Sequence, residues 1–173
     1  MAFINEIEKK TFSNLLQERL NEILEIQIFV EFQDQITEDN FKEFSLIESF
    51  SFPEELRYSK KELIEKFSNN LPVFVFIRDE TKILASILGY EYEKDSSLFF
   101  LDTIIVTSQK KGIGRILLDS LEKWLKYRNL KGIILYTEEF NYKGENLIKF
   151  YLKNGFQKIS ELEGNITMQR LIH

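Results

Sequence analysis

The sequence contains no cysteine, and its single histidine is the last residue, His173. Disulfides, thiol nucleophiles and thiolate zinc sites are therefore excluded, and histidine-based catalysis has no internal residue to use. Proline occurs only twice and glycine seven times, and no repeat, linker or low-complexity segment divides the chain. The apolar runs are too short and too interrupted to span a membrane. Met1 to Lys10 also lacks the basic start and apolar core of a signal peptide, so the expected location is the cytoplasm, away from membranes. Basic residues form no cluster long enough to follow a nucleic-acid backbone, and no nucleic-acid partner is expected. The net charge of −5 leans toward a basic acceptor such as an amine, although ordinary solubility accounts for it equally well.

What is present is enough apolar material for one well-buried domain over residues 1–173, since 43% of the chain is apolar and 14% aromatic. The organising stretch runs from Phe99 to Leu118. Phe99 to Val106 is apolar or β-branched except for Asp102, as in a strand buried on both faces. Thr107 to Lys111 break that run, Gly112 and Gly114 follow, and helical spacing then begins through Ile113, Leu117, Leu118, Leu121, Trp124 and Leu125. A strand, a glycine-bearing loop and a helix start make an anion site, because the first N–H groups of a helix lack intrahelical partners and carry the positive end of its dipole. Glycine at 112 and 114 would let a pyrophosphate approach those amides, with Lys110, Lys111 and Arg115 adding charge. A plain strand-to-helix turn is the other reading. A dinucleotide fingerprint needs glycine where Leu117 stands, and a Walker loop needs Gly-Lys-Ser or Gly-Lys-Thr where Gly114-Arg115-Ile116 stands.

Gln109-Lys110-Lys111-Gly112-Ile113-Gly114 resembles the acyl-CoA pyrophosphate loop of the GNAT superfamily of N-acetyltransferases, Gln/Arg-x-x-Gly-x-Gly/Ala. Downstream, Phe150-Tyr151-Leu152-Lys153-Asn154-Gly155-Phe156 is similar to that family's Phe-Tyr-x-Lys-x-Gly-Phe, in which the tyrosine lies near the CoA sulfur. Two ordered motifs are more specific than either alone, and the resemblance covers about residues 73 to 170. It implies acetyl-CoA as cofactor and CoA as product. It also implies pantetheine pairing with the backbone of Ile104, Ile105 and Val106, and phosphate contacts from Gln109, Lys110, Lys111, Gly112, Ile113, Gly114 and Arg115. Where the family often has an asparagine seven residues before the tyrosine and a small residue four before it, this chain has Gly144 and Leu147. Asn146 is the available substitute.

Taken in order, the elements are a helix from Asn5 to Leu24, a strand from Ile26 to Phe32, a helix after the capping box Thr37 to Asn40, and a second helix capped by Ser59 with Glu62. Strands at Val73 to Arg78, Ile83 to Glu93 and Leu98 to Val106 form a meander. Helix Ile113 to Arg128, strand Ile133 to Thr137, a helix from Gly144 to Asn154-Gly155, and strands Phe156 to Ser160 and Ile166 to Leu171 complete the chain. The resemblance implies a GNAT-like mixed α/β fold: a mostly antiparallel sheet with splayed middle strands, helices on both faces, and residues 1–24 as an additional N-terminal helix. That helix, with Ile7, Leu15, Leu16, Leu20, Ile23 and Leu24 as a partial stripe, is available to pack on the domain, to cover an acceptor groove or to form a homodimer contact.

The implied reaction is direct attack of an amine on the thioester. Tyr151 is the candidate donor to the leaving thiolate, or alternatively a packing residue on the helical face of Leu147, Phe150 and Asn154. Asp102 is the candidate base, with Glu91 or a water chain as substitutes; a buried aspartate capping backbone is the other reading. Phe50, Phe52, Glu54, Glu55 and Tyr58 are candidate contacts for an amine-bearing small molecule or peptide, or else core aromatics beside a solvated loop. A non-catalytic acyl-CoA sensor and an interaction module are the alternative functions.

Overall fold

A computed structural model of the protein describes residues 4–69, 72–107 and 112–173. The elements in order are α1 (Glu6–Leu24), β1 (Phe29–Phe32), α2 (Glu38–Ser49), a 3-10 turn (Glu54–Leu56), α3 (Lys60–Asn69), β2 (Val73–Arg78), β3 (Ile83–Glu91), β4 (Leu98–Val106), α4 (Ile113–Tyr127), β5 (Gly132–Thr137), α5 (Leu147–Lys153), β6 (Gln157–Leu162) and β7 (Asn165–Leu171). The expected mixed α/β architecture is present. Seven strands form one sheet in the order β1-β2-β3-β4-β5-β7-β6, in which β4 and β5 are the parallel neighbours and all other pairs are antiparallel. No helix among the described residues is long and apolar enough to cross a membrane.

Each face of the sheet carries its own core. Phe12, Leu16 and Leu20 of α1 and Leu117, Leu121 and Trp124 of α4 cover one face, and Phe44 and Ile47 of α2 with Leu63 of α3 cover the other. Helix α1 packs against α4: the Phe12 and Trp124 rings lie 5.0 Å apart, and the Trp124 indole N–H donates to the Glu8 carbonyl at 3.1 Å. Arg128 pairs with the Glu8 carboxylate at 3.0 Å. Of the roles open to α1, packing on the domain is present, and the stripe that performs it is Phe12-Leu16-Leu20, while Ile7 and Ile23 face solvent. Thr37 caps α2 with reciprocal bonds, as the sequence pattern expects, and Asn5, expected inside the first helix, caps α1 in the same way.

Several boundaries differ from the sequence reading by one or more residues, and two of the shifts have a clear physical cause. Strand β1 begins at Phe29 and not at Ile26, because α1 ends in a left-handed residue, Glu25, and the Asn21 side chain accepts the Ile28 N–H at 2.8 Å, which occupies the chain in the turn. Helix α5 begins at Leu147 and not at Gly144. Residues 141–145 instead form a closed loop in which the Asn141 carboxamide oxygen accepts the N–H groups of Lys143 and Glu145, and Asn146 caps the helix through the Lys149 N–H.

Two features of β4 position the site. Its pairing with β5 covers only Leu98, Phe99 and Phe100, opposite Gly132, Ile133 and Ile134, so the two strands part beyond that point. On the other edge, Leu88 pairs with Thr103 while the adjacent Gly89 pairs with Leu101, which leaves Asp102 as the extra residue of a β-bulge. The bulge inverts the strand's alternation. Phe99 and Leu101 point to the α1/α4 core, but past Asp102 it is Ile104 and Val106 that do so, while Ile105 joins the α2/α3 core.

Candidate functional site

The parting of β4 and β5 opens a cavity of about 930 Å³ that runs between α4, α5 and the loop after α2. Its wall includes Asp102, Thr103, Ile104, Ile105 and Val106 along the β4 edge that has no β5 partner. Gly112, Ile113, Gly114 and Arg115 at the start of α4 close one end, and Asn146, Leu147, Phe150 and Tyr151 of α5 line the side. Among the described residues every candidate cofactor contact, together with Tyr151 and Asp102, thus borders one space. Gln109, Lys110 and Lys111 lie outside the described residues.

The two glycines serve different ends. Gly112 caps α4 at φ 72°, a left-handed conformation, and a Cβ there would meet nothing within 4 Å. Its freedom of conformation, and not space, is what the turn uses. Gly114 was expected to clear the way for a pyrophosphate. A Cβ there would also lie 3.1 Å from the Phe150 ring, so its absence lets α4 and α5 close together at the cavity wall. Helix α4 starts without an acidic residue in its first turn, which leaves the positive end of its dipole uncompensated beside Arg115. The Arg115 guanidinium is largely exposed and sits 3.7 Å from Asp119. Asn146 lines the cavity while its side-chain oxygen accepts the Lys149 N–H at 2.6 Å, which commits that oxygen to the helix cap.

Tyr151 is 8% exposed and flanked by the rings of Phe150 and Phe156 at 5.2 and 5.3 Å. Burial pushes its phenol up to about 12, so it holds its proton at neutral pH.

On the opposite wall Asp102 is part of a network. Its carboxylate accepts the Tyr58 hydroxyl at 2.8 Å and pairs with the Lys66 ammonium at 2.8 Å. Lys66 also donates to the Tyr90 hydroxyl at 3.0 Å and lies about 5 Å from the centres of the Tyr58 and Tyr90 rings. Burial would lower the Lys66 pKa, but the bonds to Asp102 and Tyr90 and the Asp102 charge outweigh it and the net shift is upward. Burial, followed by the charge and hydrogen bond of Asp102, raises the Tyr58 phenol as well. The carboxylate expected to be free as a base is thus engaged by a fixed cation and a phenol. Behind it lies a smaller cavity of about 330 Å³ lined by Lys66, Tyr90, Tyr92, Phe100 and Tyr136, with Asp102 and Tyr136 bordering both spaces. Tyr92 and Tyr136 share a hydroxyl hydrogen bond of 2.8 Å.

Of the candidate acceptor contacts, Phe52 and Tyr58 line the larger cavity, joined by Leu56; Phe50, Glu54 and Glu55 are exposed and do not. The Tyr142 hydroxyl bonds to the Phe50 carbonyl, which ties the loop after β5 to the loop after α2 across the mouth. Glu91 lines neither cavity. A group that sequence reasoning missed is Glu48, on the last turn of α2, which is 1% exposed and borders the larger cavity. A glutamate flanked by Ile47 and Ser49 in an amphipathic helix carries no sequence signal that distinguishes it from a surface residue.

The site is thus a ligand-sized cleft at the split of two parallel strands of an open α/β sheet, ending on a glycine-capped helix. The sequence model of the acetyltransferase (GNAT) family matches residues 34–156, and the chain belongs to that family. Solved structures share the fold. The aminoglycoside 6'-N-acetyltransferase from Enterococcus faecium is 20% identical with a TM-score of 0.65, covering 84% of this chain and 97% of its own. The ribosomal-protein-S18-alanine N-acetyltransferase from Escherichia coli is 18% identical with a TM-score of 0.64, covering 84% and 94%. The PaiA N-acetyltransferase from Thermoplasma acidophilum, solved in complex with coenzyme A, is 20% identical with a TM-score of 0.64, covering 82% and 98%. No curated protein matches the sequence.

Proposed function

We propose that the protein moves an acetyl group from acetyl-CoA to an amine acceptor by direct attack, without a covalent acyl-enzyme. The observation that carries this reading is the unpartnered edge of β4, Asp102 to Val106, which meets the N-terminus of α4 at one end and Tyr151 at its side within a single cavity. An extended pantetheine arm can pair with that edge as an added strand through Ile104, Ile105 and Val106. The diphosphate then reaches the amides of Gly112, Ile113 and Gly114 and the Arg115 guanidinium, with Gln109, Lys110 and Lys111 supplying the rest of the loop. Asn146 borders the arm. Acetyl-CoA when bound supplies the activated thioester. Tyr151, a protonated phenol on the cavity wall, donates to the departing sulfur.

The acceptor enters from the side of Tyr58 and Asp102. The Asp102 carboxylate is held in place by Lys66 and Tyr58, and taking a proton itself would break that ion pair. It therefore serves as a fixed anion that attracts and orients an ammonium group. Exposed Glu138 and Glu145 at the rim have the same sign and exposed Lys143 the opposite one, so it is Asp102 that directs the acceptor toward a cationic small molecule or an exposed peptide amine.

The test is a thermal unfolding series with acetyl-CoA, CoA, ATP and NAD, on the wild type and on Gly112→Asp. That position has open space for the side chain, and aspartate tolerates a left-handed backbone better than most residues. Acetyl-CoA and CoA at about a hundred times their dissociation constants should each stabilise the wild type by roughly 2.7 kcal/mol, ATP and NAD should not, and the folded variant should lose most of the effect. Absence of any CoA effect on the wild type would sink the reading. CoA release is then followed with spermidine, kanamycin and a peptide with a free N-terminus; binding without release across all three would point to an acyl-CoA sensor.

A further inference from the structure

We infer that Glu48, and not Asp102, is the group that takes the proton from the acceptor amine. The inference rests on the acetyl-transfer reading and adds the identity of the base. Glu48, on the last turn of α2, borders the larger cavity and is 1% exposed. One carboxylate oxygen accepts the Tyr58 backbone N–H at 3.3 Å. The other is fully buried and has no hydrogen-bond partner among the described residues. An unpaired buried carboxylate oxygen is costly to keep unless a ligand or water completes it, and Glu48 borders the same cavity as Asp102 and Tyr151.

Its surroundings suit the role. From α2's own following loop comes Arg57, whose guanidinium is drawn to the Phe52 carbonyl at 2.8 Å and favours the ionised form of Glu48. From β4 comes Asp102 and from α3 comes Glu62, both of which disfavour ionisation, while the Lys66 charge is paired with Asp102. Burial dominates, and together these groups push the carboxyl up to about 7. A base at that level is ionised often enough at neutral pH to act and basic enough to accept a proton.

The step balances as follows. Glu48 takes one proton from the acceptor ammonium, directly or through one water, and later passes it to solvent. The freed nitrogen lone pair forms the C–N bond as the C–S bond breaks. The thiolate takes the Tyr151 proton, and the second proton lost from nitrogen returns to Tyr151 through water.

The variant Glu48→Gln keeps the shape and the Tyr58 contact and removes only the proton acceptor. Two readouts decide. Carbon-13 NMR of side-chain-labelled glutamate in the wild type should show one carboxyl, absent from Glu48→Gln, that titrates near pH 7. In CoA release with the fastest of the three probe amines, the variant should lose about 10²-fold or more in kcat. The acid limb of its pH profile near 7 should disappear, while the acetyl-CoA thermal shift stays that of the wild type. A Glu48 carboxyl that titrates in the ordinary range, or a variant with unchanged kcat and acid limb, overturns the assignment. Failure of the acetyl-transfer reading looks different, since the wild type itself would then show no acetyl-CoA shift.

Discussion

At the scale of single residues, the cavity separates three ionisable groups by what surrounds them. Tyr151 sits among phenylalanine rings and keeps its proton; Asp102 is bonded to Lys66 and Tyr58; Glu48 is buried with one oxygen unpaired, and burial pushes its carboxyl up to about 7. The donor, anchor and acceptor roles proposed for them therefore rest on environment and not on residue type alone. For Tyr151→Phe we expect kcat to fall by about 10²-fold or more with the acetyl-CoA thermal shift intact, because a hydroxyl that acts on the leaving group contributes mainly in the transition state. Because burial holds the phenol at about 12, the wild-type rate should show no loss from tyrosine ionisation below pH 10. A matching fall in acetyl-CoA affinity, seen as a reduced thermal shift, would instead make Tyr151 a packing residue.

At the scale of elements, the bulge in β4 decides what the strand presents. Without it, Ile104 and Val106 would face α2 and α3, and Ile105 would face α4, so the cavity would be lined by the other set of side chains. The bulge residue is Asp102, whose carboxylate reaches Tyr58 and Lys66 from that kink. Helix α1 acts at a distance from the cavity by holding α4, whose N-terminus lines one end of it. Phe12 is fully buried between Phe32 and Trp124, with ring centres 5.9 and 5.0 Å away. Phe12→Ala should destabilise the protein by about 3–5 kcal/mol in urea unfolding, the range for truncating a core aromatic. The molecules that remain folded should still show the acetyl-CoA thermal shift. Loss of less than about 1 kcal/mol would mean that α1 is a detachable addition.

At the scale of the whole molecule, the charge state of the cavity feeds back on stability. The Glu48 carboxyl stands at about 7 in the fold against an ordinary 4.5, so between those values the folded chain binds more protons than the unfolded one. Its stabilising share is complete below the ordinary carboxylate range and is lost as pH rises through about 7. Urea unfolding at pH 5 and pH 8 should therefore show a decrease that Glu48→Gln flattens. An equal decrease in both proteins would assign the effect to other groups. One sheet with a core on each face also predicts a single cooperative transition over the chain.

The order of elements and the cavity's glycine-and-tyrosine framework were legible because they depend on local patterns. Hydrophobic period, caps and the Gly-x-Gly turn are set within a few residues, and Asn5, Thr37 and Ser59 appear as helix caps or reciprocal bonds where their side chains dictate. Tertiary structure alone decided the parting of β4 from β5, the bulge at Asp102, the pairing of that aspartate with Lys66 and the burial of Glu48. Those features arise from contacts between segments far apart in the chain, Tyr58 with Asp102 and α2 with β4, and no local spacing encodes the distance or the dielectric at which two such groups meet.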